Sequence, residues 1–534
     1  MPSRVLPLLL VALLSASCDA GFDGNRADNR PPETRLSVRD ESLVDNLGEA
    51  GRLRSTLQLS WAGDDADGFV TGFEVRTYPE NVVPGTEEGW RFTTSNDSLL
   101  LLPIPGGSSV ANVYVEVRAV DDSGLKDPSP ASTLFPIRNS PPEIRLSRFE
   151  LPPDTTFSII SFAWTARDPD GNQNLASIGI SLNDSTTFLE IPPEFDFVTI
   201  VADRAQMDSG ARVVNAAVLL GRGVQASGLR LPGLRLGAEN TFYIRAKDQA
   251  DTTSVIGSHA WHVKPTTGRV LFVNDYRLST HRRVQAYHLA ALRSYLPVGE
   301  SVDTWDITQP YTTGSAGTVP RSSGLPPVAE PMLRLTLSLY DYIYWVSTGT
   351  MGDPGTDNMP FVAPALRDFF AKGGRMLVHT PANVPAQASD FTDNAAVLLL
   401  PMTRPLVLPD SIGRLELRTN ARITASTEAI ALGLPDLVSD RGYIHLRPYE
   451  ASGPNVIPLY SAAFIYRTTR GGAGTWPQPT TVASISTDRR IALLAIPLVN
   501  DQTGEALFRV SGTTDPAGRE VLPALLEALT FPKR

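Results

Sequence analysis

The chain has 534 residues, of which 42% are hydrophobic and 19% charged, and its formal net charge is −10. This hydrophobic content is sufficient for buried cores and excludes a disordered polyelectrolyte. The acidic balance provides no basic surface of the kind that binds nucleic acid, so no nucleic-acid partner is expected. The length exceeds that of one ordinary domain and predicts a multidomain protein.

Residues 1–17 have the organisation of a signal peptide. Arg4 precedes the apolar run VLPLLLVALL (5–14), which is too short to span a bilayer, and small residues then lead to Cys18, the only cysteine. These residues resemble the lipobox of bacterial lipoproteins, although Ser15 stands where that family usually has leucine. The resemblance implies lipidation of Cys18 and a membrane partner through the lipidated N-terminus. Cleavage of an ordinary signal peptide from a fully secreted protein is the alternative.

Residues 18–30 are polar and rich in Gly, Asp and Asn, which predicts a flexible tether. We therefore expect an exported protein that is membrane-anchored in the bacterial cell envelope, on the periplasmic or outer surface. A single cysteine leaves no internal disulfide, so each domain must depend on its hydrophobic core.

The N-terminal half contains an internal repeat. Three landmarks recur in the same order: NRPPETRLS (29–37) and NSPPEIRLS (139–147), WAGDDADGF (61–69) and WTARDPDGN (164–172), VRAVDD (117–122) and IRAKDQ (244–249). Between the landmarks, alternating apolar residues and Asp, Gly and Pro turns are typical of β-sandwiches. The units resemble fibronectin type III and related immunoglobulin-like modules. We predict two all-β sandwiches, over 31–138 and 139–265, with an insertion in the second within 185–235.

Aspartates cluster at the turn of each unit. Asp65 and Asp67 precede a glycine in the first unit, and Asp168 and Asp170 precede one in the second. Closely spaced carboxylates of this kind can be calcium ligands. The alternative is that each aspartate binds the backbone of its own turn. The spacing to a later bidentate Glu does not match an EF-hand, so no metal and no cofactor is assigned.

From 268 onward, strands alternate with helices, which predicts an α/β domain with a mainly parallel sheet. Three of the predicted strands are RVLFVND (269–275), YDYIYWVS (340–347) and RMLVHT (375–380). The helix THRRVQAYHLAALRSYL (280–296) places Val284, His288 and Leu292 on one face. The order of elements resembles the class I glutamine amidotransferase-like, flavodoxin-type fold over 268–534, with a β-rich insert around 400–470.

Enzymes of that family place a nucleophilic cysteine on the turn after the strand that matches RMLVHT. Here Thr380-Pro381 occupies that turn, and Cys18 lies far upstream. The domain therefore lacks the cysteine nucleophile, which argues against an enzyme of that kind.

Other chemistry would use the carboxyl ends of the strands, where open α/β sheets bind ligands. The candidate crevice residues are Asn274, Asp275, Ser347, Thr348 and Thr380. Candidates for an acid–base or metal cluster are Asp275, His281 and His379. Structural roles for the same three residues, in a turn cap, on a solvated first helical turn and at a core edge, are the alternative.

We expect a non-catalytic binding or scaffolding module of the envelope, with an envelope protein or a glycan as its partner. A cell-surface hydrolase that uses Asp275, His281 and His379 is the first alternative. A purely structural spacer is the second.

Overall fold

A computed structural model describes residues 28–38, 52–105, 108–276, 280–307, 310–311, 321–322, 325–326, 330–347, 358–380, 399–444 and 446–534. The predicted signal peptide, Cys18 and Thr348 lie outside these residues, as does the side chain of His281. In the described part of the chain, no helix is long and apolar enough to cross a bilayer. The chain divides into two compact units: residues up to 142 with 168–175 and 248–252, and residues 143–167, 176–247 and 253–534.

The first repeat forms two facing sheets. Its strands are β1 (Glu33–Val38), β2 (Leu53–Arg54), β3 (Thr56–Asp64), β4 (Val70–Pro79), β5 (Arg91–Thr93), β6 (Asp97–Leu101), β7 (Val110–Asp121) and β8 (Ala131–Arg138). One sheet has the order β1-β3-β6 and the other β2-β8-β7-β4-β5. Alternate residues of β3, among them Leu57, Leu59 and Trp61, are buried in the core between the sheets. This strand order is that of an immunoglobulin-like or fibronectin type III-like sandwich.

The second repeat has the same arrangement with additional strands. Its elements are β9 (Glu143–Leu146), β10 (Thr155–Thr156), β11 (Ile159–Arg167), β12 (Leu175–Leu182), β13 (Leu189–Ile191), β14 (Phe197–Ala202), α1 (Arg204–Asp208), β15 (Val213–Leu220), β16 (Gln225–Arg235), β17 (Ala238–Asp248) and β18 (Gly257–Val263). The sheets are β10-β18-β17-β12-β13 and β16-β15-β14-β11-β9. Helix α1 and the β15–β16 hairpin have no counterpart in the first repeat, and they fall within the stretch where the sequence predicts an insertion.

The strands of the C-terminal region are β19 (Val270–Asp275), β20 (Val302–Asp306), β21 (Pro310–Tyr311), β22 (Arg321–Ser322), β23 (Tyr342–Ser347), β24 (Arg375–His379), β25 (Arg404–Pro405), β26 (Ile412–Leu417), β27 (Arg422–Ala425), β28 (Leu437–Ser439), β29 (Tyr449–Glu450), β30 (Val456–Ala462), β31 (Phe464–Thr468), β32 (Ala473–Thr475), β33 (Thr481–Ser486), β34 (Ile491–Leu494) and β35 (Phe508–Val510). Its helices are α2 (His281–Tyr295), α3 (Met332–Leu337), α4 (Met359–Val362), α5 (Arg367–Ala371), α6 (Thr427–Ala431) and α7 (Gly518–Ala528).

The main C-terminal sheet is mixed, which corrects the expectation of a mainly parallel sheet. Its order is β20-β19-β23-β24-β34-β33-β30-β27-β28-β35. Neighbours from β20 to β34 pair in parallel, and the described strands beyond β34 pair antiparallel. The reason is that β33 pairs antiparallel with β34, and that β30, β27 and β28 of the 400–470 stretch and then β35 continue the sheet in the same antiparallel manner.

The inner parallel strands β19, β23, β24 and β34 are buried on both faces, whereas the edge strand β20 is partly exposed on one face. Helices α2 and α7 cover one face, where Val284, Leu292 and Leu525 are buried. Helices α3 to α5 cover the other face, where Leu333 and Phe369 are buried. We call these the α2 face and the α3 face.

The second sandwich shares a core with this sheet. Phe157 is 2% exposed and packs edge-on against Trp305 and Tyr340, with ring centroids 5.4 and 5.8 Å away. Hydrogen bonds also fix the segment between β18 and β19. Asp303 accepts one from the backbone N–H of Thr267 at 2.9 Å and one from the Tyr340 hydroxyl at 3.1 Å. Residues on both sides of this shared core belong to one compact unit.

Candidate functional site

Three of the predicted crevice residues share the α3 face at the carboxyl ends of the parallel strands. Asp275 of β19 pairs with Ser347 of β23, and the Ser347 hydroxyl donates to Oγ1 of Thr380 at 2.7 Å. All three side chains are buried. The structure thus brings Asp275, Ser347 and Thr380 into one row.

Polar groups of the fold surround the carboxylate of Asp275. The Trp345 indole donates to Oδ2 at 3.3 Å, and the amide of Asn358, at the start of α4, donates to Oδ1 at 2.5 Å. Asp275 itself is fully buried. These contacts are typical of a carboxylate that anchors the neighbouring helix and strand.

Asn274 and His379 lie on the opposite, α2 face. Both pair with Val346, from its two sides, so the three residues form the row directly before the Asp275 row. Successive residues of a strand point to opposite faces. The structure therefore does not bring Asp275 and His379 together. His281 is the first residue of α2.

On the α2 face, His379 meets a histidine that the sequence analysis did not single out as a functional residue. The ring centroids of His288 and His379 are 4.5 Å apart, and the residues are 0% and 4% exposed. Nδ1 of His288 contacts the Tyr344 hydroxyl at 2.7 Å, and Nε2 of His379 donates to the Ile496 carbonyl at 2.8 Å. The sequence places His288 on the apolar face of its helix, but no spacing links it to a residue 91 positions later (379 minus 288).

The environment keeps both rings neutral. Burial lowers the pKa of His379 to about 4. Burial and the neighbouring His379 hold the pKa of His288 well below its ordinary value. Among the described residues, Nε2 of His288, Nδ1 of His379 and Nδ2 of Asn274 are buried without a hydrogen-bond partner. Buried polar atoms without partners are rare, and each calls for a physical explanation.

Aspartates accept hydrogen bonds from the first residues of each repeat. The Asn29 amide donates to Asp121 and the Asn139 amide to Asp248, both at 2.5 Å. The following backbone N–H donates to the second aspartate of each turn: that of Arg30 to Asp67 at 3.1 Å, and that of Ser140 to Asp170 at 2.6 Å. We call each pair of contacts an Asn–Asp clasp. The contacts explain why these residues recur together in the repeat.

Within each turn, the first aspartate accepts from the second. The Asp67 N–H donates to Asp65 at 3.4 Å, and the Asp170 N–H donates to Asp168 at 2.8 Å. Burial, with the charges of Asp170 and Asp248, raises the pKa of Asp168 to about 6. In the described part of the chain, no group of three or more His, Cys, Asp or Glu side chains could hold a metal ion. The bonds from Asp67 to Asp65 and from Asp170 to Asp168 match the alternative in which each aspartate binds the backbone of its own turn.

The two turn glycines differ in how strongly the structure constrains them. Gly171 has φ 109°, a conformation that L side chains rarely adopt. At Gly68, a Cβ would lie 2.5 Å from Asp122 Oδ1 and 2.6 Å from Asp65 Oδ2, so these two carboxylates would have to rotate away to admit a larger residue.

A cavity of about 650 Å³ lies at the other end of the parallel strands, near the amino ends of β24 and β34. Phe370, Met402 and Ile491 are among its apolar lining residues. Its polar lining includes Asn455 and Arg490. The Arg490 guanidinium donates to the Phe370 carbonyl at 2.7 Å, which fixes its position on the wall. The sequence offered no sign of this cavity, since its walls come from segments far apart in the chain.

No protein-family model matches the chain, and no curated protein matches it. Among solved structures, it is similar to the fibronectin(III)-like modules of Clostridium thermocellum CbhA, with 11% identity, 43% of this chain and 95% of that chain covered, and a TM-score of 0.17. The chain is also similar to the chicken CNTN1 FN1–FN3 domains, with 10% identity and a TM-score of 0.17, and the match covers 45% of this chain and 68% of that chain. A third similar structure is the central fibronectin-III array of RIM-binding protein, with 12% identity and a TM-score of 0.14. That match covers 46% of this chain and 73% of the other chain. Our assignment of the sandwiches rests on their strand order.

Proposed function

We propose that the chain is an exported, lipid-anchored envelope protein that acts as a non-catalytic binding or scaffolding module. The N-terminal sequence pattern carries the anchoring part of this proposal, and the cavity of about 650 Å³ carries the binding part. Its volume lies in the range of about 300–1,000 Å³ that is typical of ligand sites, and its lining combines apolar walls with fixed polar groups. The guanidinium of Arg490 and the amide of Asn455 suit a polar partner, such as a glycan or a peptide segment of an envelope protein.

The arrangement at the carboxyl ends of the strands favours this function over hydrolysis. A hydrolase requires a base within hydrogen-bond reach of the group that it activates. Asp275 instead accepts from Trp345 and Asn358, and His379 faces the other side of the sheet. Ser347 and Thr380 are hydrogen-bonded to each other.

For residues 268–534 we retain the amidotransferase-like fold without its nucleophile as part of the proposal. Parallel pairing of β20, β19, β23, β24 and β34, with helices on both faces, supports it. Thr380 follows β24, where the resemblance implies a cysteine in the enzymes.

Site-specific photo-crosslinking in the native cell tests the binding function. A photoreactive amino acid at Asn455, an exposed lining residue, is expected to give a discrete crosslinked species, because a bound partner would lie within reach. The matched control carries the same amino acid at Lys533, which is exposed and does not line the cavity. Absence of a species specific to Asn455 would contradict the proposal and favour a spacer.

A further inference from the structure

The cavity near the amino ends of β24 and β34 is electrically balanced. Among its described lining residues, only Asp488 and Arg490 are charged. Nε of Arg490 lies 3.5 Å from Oδ2 of Asp488, so the two opposite charges are adjacent. An anionic ligand attracted by the guanidinium would be repelled by the carboxylate beside it, and a cationic ligand would meet the reverse. The lining therefore favours a ligand without charge.

Two side chains of the cavity wall offer hydrogen bonds that the protein itself does not use. Asn455 and Thr487 are both exposed, and the backbone N–H of Thr487 donates to the Asn455 carbonyl at 3.2 Å, which holds the two residues side by side. Neither the Asn455 amide nor the Thr487 hydroxyl has a partner among the described residues. Each group can both donate and accept, which matches the hydroxyls of a sugar.

Apolar residues make up much of the remaining lining. Phe370, Met402 and Ile491 are among them. Phe370 is half-buried, and its ring packs edge-on against Phe369 with centroids 5.0 Å apart. A sugar ring presents a face of C–H groups beside its hydroxyls, and this face packs on an aromatic ring because the ring face carries negative potential. The lining thus matches both sides of a sugar.

The described strands around the cavity leave no free edge for an extended peptide. Val456 of β30, Ser486 of β33 and Ile491 of β34 line the cavity, and each of these strands has a hydrogen-bonded neighbour on both sides. A peptide that adds a strand to a sheet requires an unpaired edge. Recognition in this cavity must therefore rely on side chains, which favours a glycan over a peptide segment.

We propose that the cavity binds an uncharged oligosaccharide segment of the cell envelope, which narrows the proposed binding function on which this inference rests. The C–H face of a sugar ring packs on the apolar lining around Phe370, and ring hydroxyls bond with Asn455 and Thr487. Because both polar residues are exposed, the oligosaccharide can extend from the cavity into solvent.

The native-cell crosslink at Asn455 identifies the class of ligand when the photoreactive amino acid carries a diazirine, which inserts into C–H and O–H bonds alike. Mass spectrometry after tryptic digestion is expected to find uncharged sugar residues attached to the peptide that contains position 455. An attached peptide or acidic sugar would overturn the inference and leave the binding function in place. Absence of any adduct specific to position 455 would contradict the binding function and the inference together.

Equilibrium dialysis gives a second measurement, with the full chain carrying Cys18→Ser and with oligosaccharides released from the native envelope. Anion exchange separates them into a neutral and an acidic pool, and saturable retention of the neutral pool alone is expected. Asn455→Ala and Thr487→Val should each weaken this binding by about 3–10-fold, the effect of losing about one hydrogen bond. Asn96→Ala is the matched control, because Asn96 is an exposed asparagine of the first repeat, and it should leave the affinity unchanged.

Three outcomes of the dialysis would each overturn the inference. They are equal or stronger retention of the acidic pool, no saturable retention of the neutral pool, and undiminished affinity in both the Asn455→Ala and Thr487→Val variants.

Discussion

At Asp168, burial determines how one carboxyl group responds to pH. The residue is 5% exposed, and burial together with Asp170 and Asp248 raises its pKa to about 6 from an ordinary value of 3.8. The folded protein therefore holds this proton more tightly than the unfolded chain does. The resulting stabilisation is fully present below pH 3.8 and is lost as the pH rises through about 6.

Asp168→Asn is expected to remove this contribution to the pH dependence between pH 4 and 7, because the amide stays neutral throughout. The variant should be more stable than the parent at pH 7.5, where the parent must keep a buried charge. Urea unfolding at pH 4.5 and 7.5 measures the effect. Asp184→Asn is the control: bonds from Thr186 lower the pKa of that carboxyl to about 2, so the substitution should not stabilise the protein at pH 7.5. Parallel pH profiles for the parent and Asp168→Asn would contradict the prediction.

At the scale of the elements, the packing of Phe157 between the second sandwich and the main C-terminal sheet should determine how the second sandwich unfolds. Phe157 packs against Trp305 and Tyr340 in one buried cluster with the main sheet. Loss of contacts on either side leaves the other side with exposed apolar surface. The two parts should consequently unfold together.

Phe157→Ala is expected to lower the free energy of unfolding of this compact unit by about 3–5 kcal/mol, the usual cost of emptying a buried phenylalanine site. Thermal unfolding followed by circular dichroism should show that the unfolding transitions of the second sandwich and of the C-terminal region shift together. Phe149→Ala is the matched control, because Phe149 is 78% exposed and its loss should change stability by within about 0.5 kcal/mol. A shift confined to one of the two parts would show that they unfold independently.

The sequence predicts the positions of the strands better than it predicts which face of the sheet each side chain occupies. In β3, the alternation of Leu57, Leu59 and Trp61 marks the core side directly, since the other side meets solvent. In β19, residues 270–275 are buried throughout, so no alternation reveals which face Asn274 or Asp275 occupies. That information resides in the pairing register, which depends on strands far along the chain. The same limit hides the cavity and the contact between His288 and His379.

At the scale of the whole molecule, the proposed lipid anchor at Cys18 would determine where the protein works. The signal peptide, Cys18 and the tether up to residue 27 remain predictions, because they lie outside the described residues. The last residues of the predicted tether, Asn29 and Arg30, instead form the first Asn–Asp clasp. Lipidation would attach the folded body to a membrane through the tether, and a cleaved, unmodified start would release it.

Intact-mass analysis of the mature protein purified from its native membrane decides between these outcomes. We expect an N-terminus at Cys18 with the added mass of acyl chains. Cys18→Ser, the matched variant, should shift the protein to the soluble fraction without that added mass. An unmodified parent protein that starts at or after Cys18 would contradict lipidation.

The shared core at Phe157 also constrains how this architecture can change during evolution. The first sandwich encloses its own core, around Leu59 and Trp61, and keeps its own Asn–Asp clasp. A recombination event that inserts or repeats it would carry that core along intact, and one that removes it would not open the core around Phe157. Moving the second sandwich without residues 268–534 would expose Phe157 to water. Related genes are therefore expected to vary in the number of sandwiches before residue 139, while the second sandwich and the C-terminal region are inherited as one piece.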